Sequence, residues 1–373
     1  MKIDLIQISG FKSVADLRLE GLAPFSVFAG PNGAGKSNIM DALAFVSAVV
    51  ELGAVKALRQ FRGFAQVHCY KLRKENTRTF SFALHAAMGD QKLQYTLKLR
   101  DMDSEPQLEE VLRVDGKKLL ERKAGGDPQL HALDGGRLPL TIEKYPADRS
   151  ALLFTASDLR LHELLVNVEV FRFDPLGAKE PDGSSADTTS LHPNGHNVAT
   201  MLATLERDDE FRTQVMEWMN LLVPGLEQVR AEPERLSGGT VIKFKEEGTR
   251  AHFPAHLISD GTIYALCIMT AVLSRAKKTG ITLIEEPERG LHPKAIEALV
   301  DLMRQSAGVE HPVLVTTHSE SLVRACHVDE LWLVNKVDGK TTTKNAARTG
   351  GDLGQINLDT AWLMNLFDGG LPW

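Results

Sequence analysis

Gly30-Pro-Asn-Gly-Ala-Gly35-Lys36-Ser37 fits the pattern G-x-x-x-x-G-K-[ST] at every fixed position. Glycines there let the backbone fold back so that successive N–H groups point inward, which suits a chain of phosphates. A helix starting directly after the loop adds its positive N-terminal end. Lys36 is expected between the β- and γ-phosphates, and the Ser37 hydroxyl on Mg²⁺. Gly30, Asn32, Gly33, Gly35 and Asn38 complete the phosphate-facing set. The ligands this chemistry calls for are ATP and Mg²⁺.

A second cluster lies far downstream. Ile281-Thr-Leu-Ile284 is a β-rich run that ends in Glu285-Glu286-Pro287. A buried strand delivers such terminal carboxylates to the edge of a sheet where nucleotides bind. Glu285 can hold the Mg²⁺ shell, and Glu286 can polarise the attacking water as general base. Another apolar run, Val313–Thr317, ends in His318, placed to reach the γ-phosphate and sense its presence. About 250 residues separate Lys36 from Glu286. Small GTPases and nucleotide kinases hold the two within about one domain's length. A whole β layer and a helical lobe intervene here, which is the order of ABC-type ATPases. Such heads need a contribution in trans. Leu257-Ile258-Ser259-Asp260-Gly261-Thr262, ahead of the helical run Ile263–Lys278, offers one. Ser259 is a good N-cap, and Gly261 permits close backbone approach to a phosphate. A hydroxyl and a helix N-terminus there would stabilise charge on the transferring group. Leu236-Ser-Gly-Gly239 spells the common ABC signature more literally, but a strand pattern follows it, so it reads as a turn.

These residues must be positioned by an alternating α/β core. Residues 2–9 and 25–29 read as strands, and Ser37 to about Glu51 as a helix, with Ile39, Met40, Leu43 and Val46 at helical spacing. From about 64 to 120 the period shortens to that of strands, with Asp115-Gly116 as a hairpin turn, predicting an antiparallel β layer. Residues 122–137 and 175–197 are rich in turn formers and read as loops. Between them, 152–163 reads as helix and 166–173 as strand. Val198, Leu202, Leu205, Phe211, Val215 and Trp218 form a helical stripe, and strands return near Thr240–Lys245. The remainder alternates through 262–276, 281–285, 293–307, 312–316 and 319–326 as a doubly wound core does. The expected parts are 1–175 and 256–349 for the two pieces of the ATPase core, 176–255 for a loop and helical-lobe insertion, and 350–373 for a tail. No heptad array is present, so a coiled-coil arm is not expected. The tail, with Trp362 and Phe367, is apolar enough to pack on its own core.

Composition bounds the rest. The 373 residues are 43% hydrophobic and 25% charged, ordinary for a globular chain, and the net charge of −6 does not advertise a polyanion partner. No run approaches the ~20 apolar residues of a membrane span. Met1–Leu5 reads as a strand rather than a signal peptide. Cys69, Cys267 and Cys326 match no metal spacing and read as reduced thiols of a cytoplasmic protein. Lys56, Arg59, Arg62, Lys71, Arg73, Lys74 and Arg78 form a basic stretch of the kind that faces double-stranded DNA, or simply water.

Taken together, Gly30–Met40 with Asp41-Ala42-Leu43, Ile258–Thr262, Ile284–Pro293 and Thr316–Ser319 resemble the SMC/RecF-like branch of ABC ATPases. Within it they resemble most the predicted ATPases grouped with the OLD-family ATPase domain. Ile8–Ser13, which contains Lys12, is similar to that branch's opening strand and turn, and Leu191–Ala199 to its entry into the helical lobe. The resemblance implies an α/β P-loop NTPase of ABC-head type: a mixed central sheet, an antiparallel β layer and an inserted helical lobe. It adds Lys12 to the nucleotide-contacting residues. It also implies a homodimer or higher oligomer closing around two ATP molecules, with Ser259 completing the partner's site. Roles in DNA maintenance or in defence against phage and plasmids, through a separate effector protein, follow by the same analogy.

There are departures. Glu285 stands where many ABC proteins carry aspartate, Asp260 replaces a signature glycine and Thr262 a glutamine. No glutamine is assigned to sensing Mg²⁺; Gln60 and Gln66 are the nearby ones. The 55 residues after His318 are too few for the nuclease domain that OLD-type nucleases carry there, and no HNH, metal-nuclease or Ser/His/Asp arrangement is visible. His252, His256, His292 and His311 are scattered among turns. Three functions remain: an ATP-gated dimeric switch or motor, a non-hydrolysing ATP-bound scaffold holding an effector, and the ATPase subunit of a membrane transporter. The motifs favour the first, with no membrane association.

Overall fold

Phe25–Ala29 (β3), the run before the phosphate loop, is buried at all five positions, as a strand covered on both faces must be. Its faces differ: Phe28 points into one apolar cluster, and Phe25, Val27 and Ala29 into another. The computed structural model describes residues 1–73, 78–132, 140–155, 159–183, 190–234, 238–349 and 356–370. In it β3 belongs to a six-stranded sheet ordered Val168–Phe171 (β10), Ile281–Glu285 (β14), Val313–Thr317 (β15), β3, Leu331–Val337 (β16) and Lys340–Asn345 (β17). All neighbours are parallel except β16 and β17, so the sheet is mixed. Glu285 pairs with Thr316, and Thr317 with Ala29. The C-terminal ends of β14, β15 and β3 thus lie side by side.

An eight-stranded antiparallel sheet covers one side. Its order is Val14–Glu20 (β2), Lys2–Phe11 (β1), Phe80–Met88 (β4), Gln91–Arg100 (β5), Gln107–Val114 (β6), Lys117–Arg122 (β7), Gln129–Leu130 (β8) and Leu140–Thr141 (β9). Residues of β4 and β6 alternate between buried and partly exposed, the pattern of a sheet with one wet face. Asp115 and Gly116 both take positive φ in the β6–β7 turn, as a two-residue hairpin requires. Lys36–Leu52 (α1) runs beneath this layer, with Phe45 against Phe11 and Phe80 at ring distances of 5.4 and 5.1 Å.

Short helices follow α1: Ala54–Gln60 (α2), Phe64–Val67 (α3), Leu161–Val166 (α4) and Pro175–Ala178 (α5). The other face of the central sheet carries Val198–Leu205 (α6), Asp209–Leu222 (α7), Asp260–Arg275 (α8) and Pro293–Ser306 (α9), then Glu320–Arg324 (α10) and Leu358–Leu363 (α11). A small antiparallel sheet of Leu226–Pro233 (β11), Thr240–Glu246 (β12) and Phe253–Pro254 (β13) packs on α6 and α7. Trp362 and Phe367 are buried in the chain's own core.

The elements differ from the sequence reading in several places, among them α5 inside the stretch 175–197 read as loop and the strands β2 and β11, which were not read. The stretch from 64 turns to strand only at Phe80, because Phe64–Val67 is helical after the Gly63 turn, and the layer also takes in β1 and β2. Residues 152–163 are a 3₁₀ turn over Leu152–Thr155 and then α4, rather than one helix. β8 falls inside the stretch read as loop. The β16–β17 hairpin, although Asp338-Gly339 marks its turn, is absent from the sequence reading. Leu236 and Ser237 lie outside the described residues; the adjoining Gly238 and Gly239 run into β12. Among the described residues α1 is the longest helix, at 17 residues, and no helix is long and apolar enough to cross a membrane.

Candidate nucleotide site

The loop between β3 and α1 turns on Gly35, at φ 103°, a left-handed backbone suited to glycine. A Cβ there would stand 1.9 Å from Thr341 Oγ1. Thr341, on β17, donates to Ala34 O at 3.0 Å and accepts from Ser13, which in turn accepts from Asn38 Nδ2 at 2.6 Å. The loop is therefore braced from behind by the first and last sheet segments. Asn32, Gly33, Gly35, Lys36, Ser37 and Asn38 line a cleft of about 280 Å³, together with Glu286, Thr316 and Lys336. Lys36 Nζ donates to Gly30 O at 2.7 Å and Pro31 O at 3.0 Å. Burial lowers its pKa, and Glu286, Glu288 and Glu285 pull it back up. A polyanion entering the cleft meets this buried cation.

The acidic strand end faces the loop. Ser37 Oγ donates to Glu285 Oε2 at 3.3 Å. Glu286 adopts φ 50°, a left-handed backbone rarely taken by a non-glycine residue, and its N–H is tied to Thr316 O at 2.9 Å. Its carboxylate meets His318 Nδ1 at 3.1 Å, with His318 half exposed. Glu288, two residues on, is buried. Thr317 donates to its Oε1 at 2.6 Å, while Oε2 has no hydrogen-bond partner among the described residues. Burial raises the Glu288 pKa, against the pull of the Thr317 hydrogen bond. The Ser37 hydroxyl and Glu285 carboxylate are the hard oxygen donors that Mg²⁺ prefers, and Mg²⁺ takes only one or two from protein beside nucleotide phosphates. The residues present fit that ion.

Ser259 caps α8, accepting from Thr262 N at 3.2 Å. Neither it nor Gly261 is among the residues lining the cleft of its own chain. The close approach expected of Gly261 exists, but toward protein: a Cβ there would stand 2.3 Å from Gly290 O. Asp260, at the expected signature glycine, pairs with Lys179. Lys12 pairs with Asp41 at 2.5 Å and does not line the cleft.

With this geometry in place, residues 25–324 match the family model described as "AAA domain, putative AbiEii toxin, Type IV TA system". The chain belongs to that AAA domain family. It is also 35% identical over 101 residues to the chromosome partition protein Smc of Gloeobacter violaceus, a match spanning 27% of this chain and 8% of that one. Three solved SMC heads share the fold. A head bound to the C-winged helix domain of ScpA has TM-score 0.59 at 14% identity, covering 92% of this chain and 97% of that one. A Pyrococcus furiosus head with an extended coiled coil, bound to the C-terminal domain of ScpA, has TM-score 0.56 at 14%, covering 97% and 98%. The Thermotoga maritima head has TM-score 0.50 at 15%, covering 92% and 99%. The chain thus has the P-loop, ABC-head fold that these SMC heads share.

Several residues of this AAA domain that face or brace the site were missed from sequence. Arg172, just past β10, donates to Asp41 at 2.6 Å and Glu285 at 2.7 Å. Burial opposes its charge, but the bonds to Glu285 and Asp41 outweigh that and hold its pKa above the usual value. Tyr264 of α8 donates its hydroxyl to the carbonyls of Glu285 and Glu286 at 3.0 and 3.1 Å. Lys336 enters from β16. No local spacing marks these positions; the topology brings them in. Gln60 lies in a neighbouring cleft with Asp41 and Arg172, away from the phosphate loop. Of the basic stretch, Lys56, Arg59, Arg62, Lys71 and Arg73 are exposed, Arg78 pairs with Asp103, and Lys74 lies outside the described residues.

Proposed function

We propose that this head binds ATP with Mg²⁺ in the cleft and hydrolyses it between two copies of the chain. One observation carries the reading: Lys36, Ser37 and Glu286, split by about 250 residues, line one cleft, and Ser37 at its edge is 3.3 Å from Glu285. Bound Mg²⁺ would draw charge off the β- and γ-phosphate oxygens. Lys36 exchanges its two loop carbonyls for phosphate oxygens. Glu286, oriented by His318 and by its backbone tie to Thr316, takes the proton of the attacking water. Ser259 at the α8 N-terminus faces outward from its own site and serves the partner copy's γ-phosphate, as an arginine finger would.

Closing and reopening of two such heads drives or gates a process carried by a separate effector. The family description names a toxin of a toxin–antitoxin system, and two of the similar SMC heads are bound to ScpA, which supports a protein partner. The OLD-like motifs support a role in defence against phage or in DNA repair in the cytoplasm, with double-stranded DNA meeting the exposed basic stretch. The alternative, an ATP-bound scaffold without turnover, is favoured only by the departures at Glu285, Asp260 and Thr262. Steady-state ATP turnover decides. Wild type should hydrolyse Mg-ATP, Lys36→Ala should lose binding, and Glu286→Gln should bind without turning over. Wild type that binds without turnover would establish the scaffold.

A further inference from the structure

Arg172 belongs to neither of the motifs that build the site, yet it touches both. A single nitrogen, Nη2, donates to Asp41 Oδ1 on α1 and to Glu285 Oε1 at the end of β14. Asp41 is held on its other oxygen by Lys12. Glu285 is divided in the same way: Oε1 faces Arg172, and Oε2 receives the Ser37 hydroxyl. Lys12, Asp41, Arg172 and Glu285 are two cations and two anions in one chain of contacts. Every charge in it has a partner without using Glu285 Oε2.

We propose that Arg172 is a positioning residue for Mg²⁺, fixing the Glu285 carboxylate so that Oε2 is turned toward Ser37. The assignment rests on the nucleotide-site reading above. A carboxylate at a strand end, 17% exposed, is free to rotate unless one oxygen is held. Arginine suits the task because its planar fork stays charged and fixes direction, whereas lysine supplies only a point charge. Asp41 sits one helical turn after Ser37, so anchoring the guanidinium on Asp41 ties its position to the helix that carries the Ser37 hydroxyl. Two effects of removing Arg172 oppose each other. Loss of the hold weakens ion binding, as loss of a group supporting a metal ligand does. Loss of a nearby positive charge strengthens it. The proposal is that the first dominates.

The test is a Mg²⁺ titration of a fluorescent ATP analogue binding to the full chain, as wild type, Arg172→Met, Arg172→Lys and Asp41→Asn. Affinity in EDTA and thermal unfolding without metal are measured beside it. Arg172→Met should raise the Mg²⁺ concentration for half-maximal binding about 10- to 100-fold. Its EDTA affinity should stay at the wild-type value. Arg172→Lys and Asp41→Asn should fall between, and they carry the test if Arg172→Met does not fold. An unchanged or lowered Mg²⁺ requirement overturns the proposal, as does an equal loss with Mg²⁺ and in EDTA. Wild type that binds the analogue identically with and without Mg²⁺ would instead overturn the reading of Ser37 and Glu285 themselves.

Discussion

Glu286 holds a left-handed backbone, φ 50°, that costs a non-glycine residue about 1–3 kcal/mol and persists only where its surroundings enforce it. Its carboxylate lines the cleft beside Lys36. Glu286→Gln should therefore lower turnover about 10²- to 10⁴-fold, the usual worth of a general base, with ATP affinity retained. Loss of affinity in equal measure would show that the side chain serves binding alone. Gly35→Ala meets two obstacles, the left-handed φ of 103° and a Cβ 1.9 Å from the doubly bonded Thr341 hydroxyl. It should abolish ATP binding and cost at least about 1–3 kcal/mol in urea unfolding. Away from the site, His311 is buried, and burial first, then Arg275, lowers its pKa to about 4 from 6.5. Between those values the unfolded chain takes up a proton that the folded chain refuses. Stability should be full above about pH 6.5 and fall as pH drops toward 4, by at most about 3 kcal/mol. His311→Gln should flatten that window in pH-dependent denaturation. The motif residues were legible because each is marked by its neighbours in sequence. Arg172, Tyr264 and Lys336 were not, since each reaches the site from a different element and is surrounded by ordinary strand or helix sequence.

Among elements, α8 has the most to explain. It is buried along most of its length, it begins at Ser259, and Tyr264 ties it to the carbonyls of Glu285 and Glu286. The helix proposed to serve a partner copy's nucleotide thereby touches the acidic strand end of its own site. Tyr264→Phe keeps the shape and removes only the hydroxyl. It should cost about 1 kcal/mol of stability and lower turnover more than it lowers ATP affinity. Unchanged turnover would mean that the bond is structural. The observed cap and the proposed phosphate contact of Ser259 are separable. Aspartate caps a helix about as well as serine, so Ser259→Asp should keep the melting temperature while repelling a phosphate. Ser259→Ala should lose about 1 kcal/mol as well as turnover. Turnover unaffected by the aspartate would remove Ser259 from the mechanism. The strands carrying Phe25–Ala29, Ile281–Glu285 and Val313–Thr317, and helices α1, α8 and α9, were readable because burial on both faces or strong periodicity marks them. α3 was misread because four residues after a glycine turn carry no usable period.

At the scale of the whole molecule, the order of loop, β layer, helical lobe, signature and acidic strand was enough to give the ABC-head class. What that order could not give was the way sheets pack. The phosphate loop is braced by β1's end and by β17, more than 300 residues apart in sequence, through Ser13 and Thr341. The same distance in sequence hides how much of the site depends on the fold closing correctly. The head also leaves Ser259 off its own cleft, and the second copy proposed above would bring that hydroxyl to a nucleotide. The most direct test measures solution mass and ATP turnover together, for wild type, Lys36→Ala, Ser259→Ala and Glu286→Gln. Mg-ATP should double the mass of Glu286→Gln without turnover, Lys36→Ala should stay single and inactive, and Ser259→Ala should bind ATP but not turn it over. Wild-type turnover that is independent of protein concentration and survives Ser259→Ala, with no mass change in Glu286→Gln, would contradict hydrolysis between two copies.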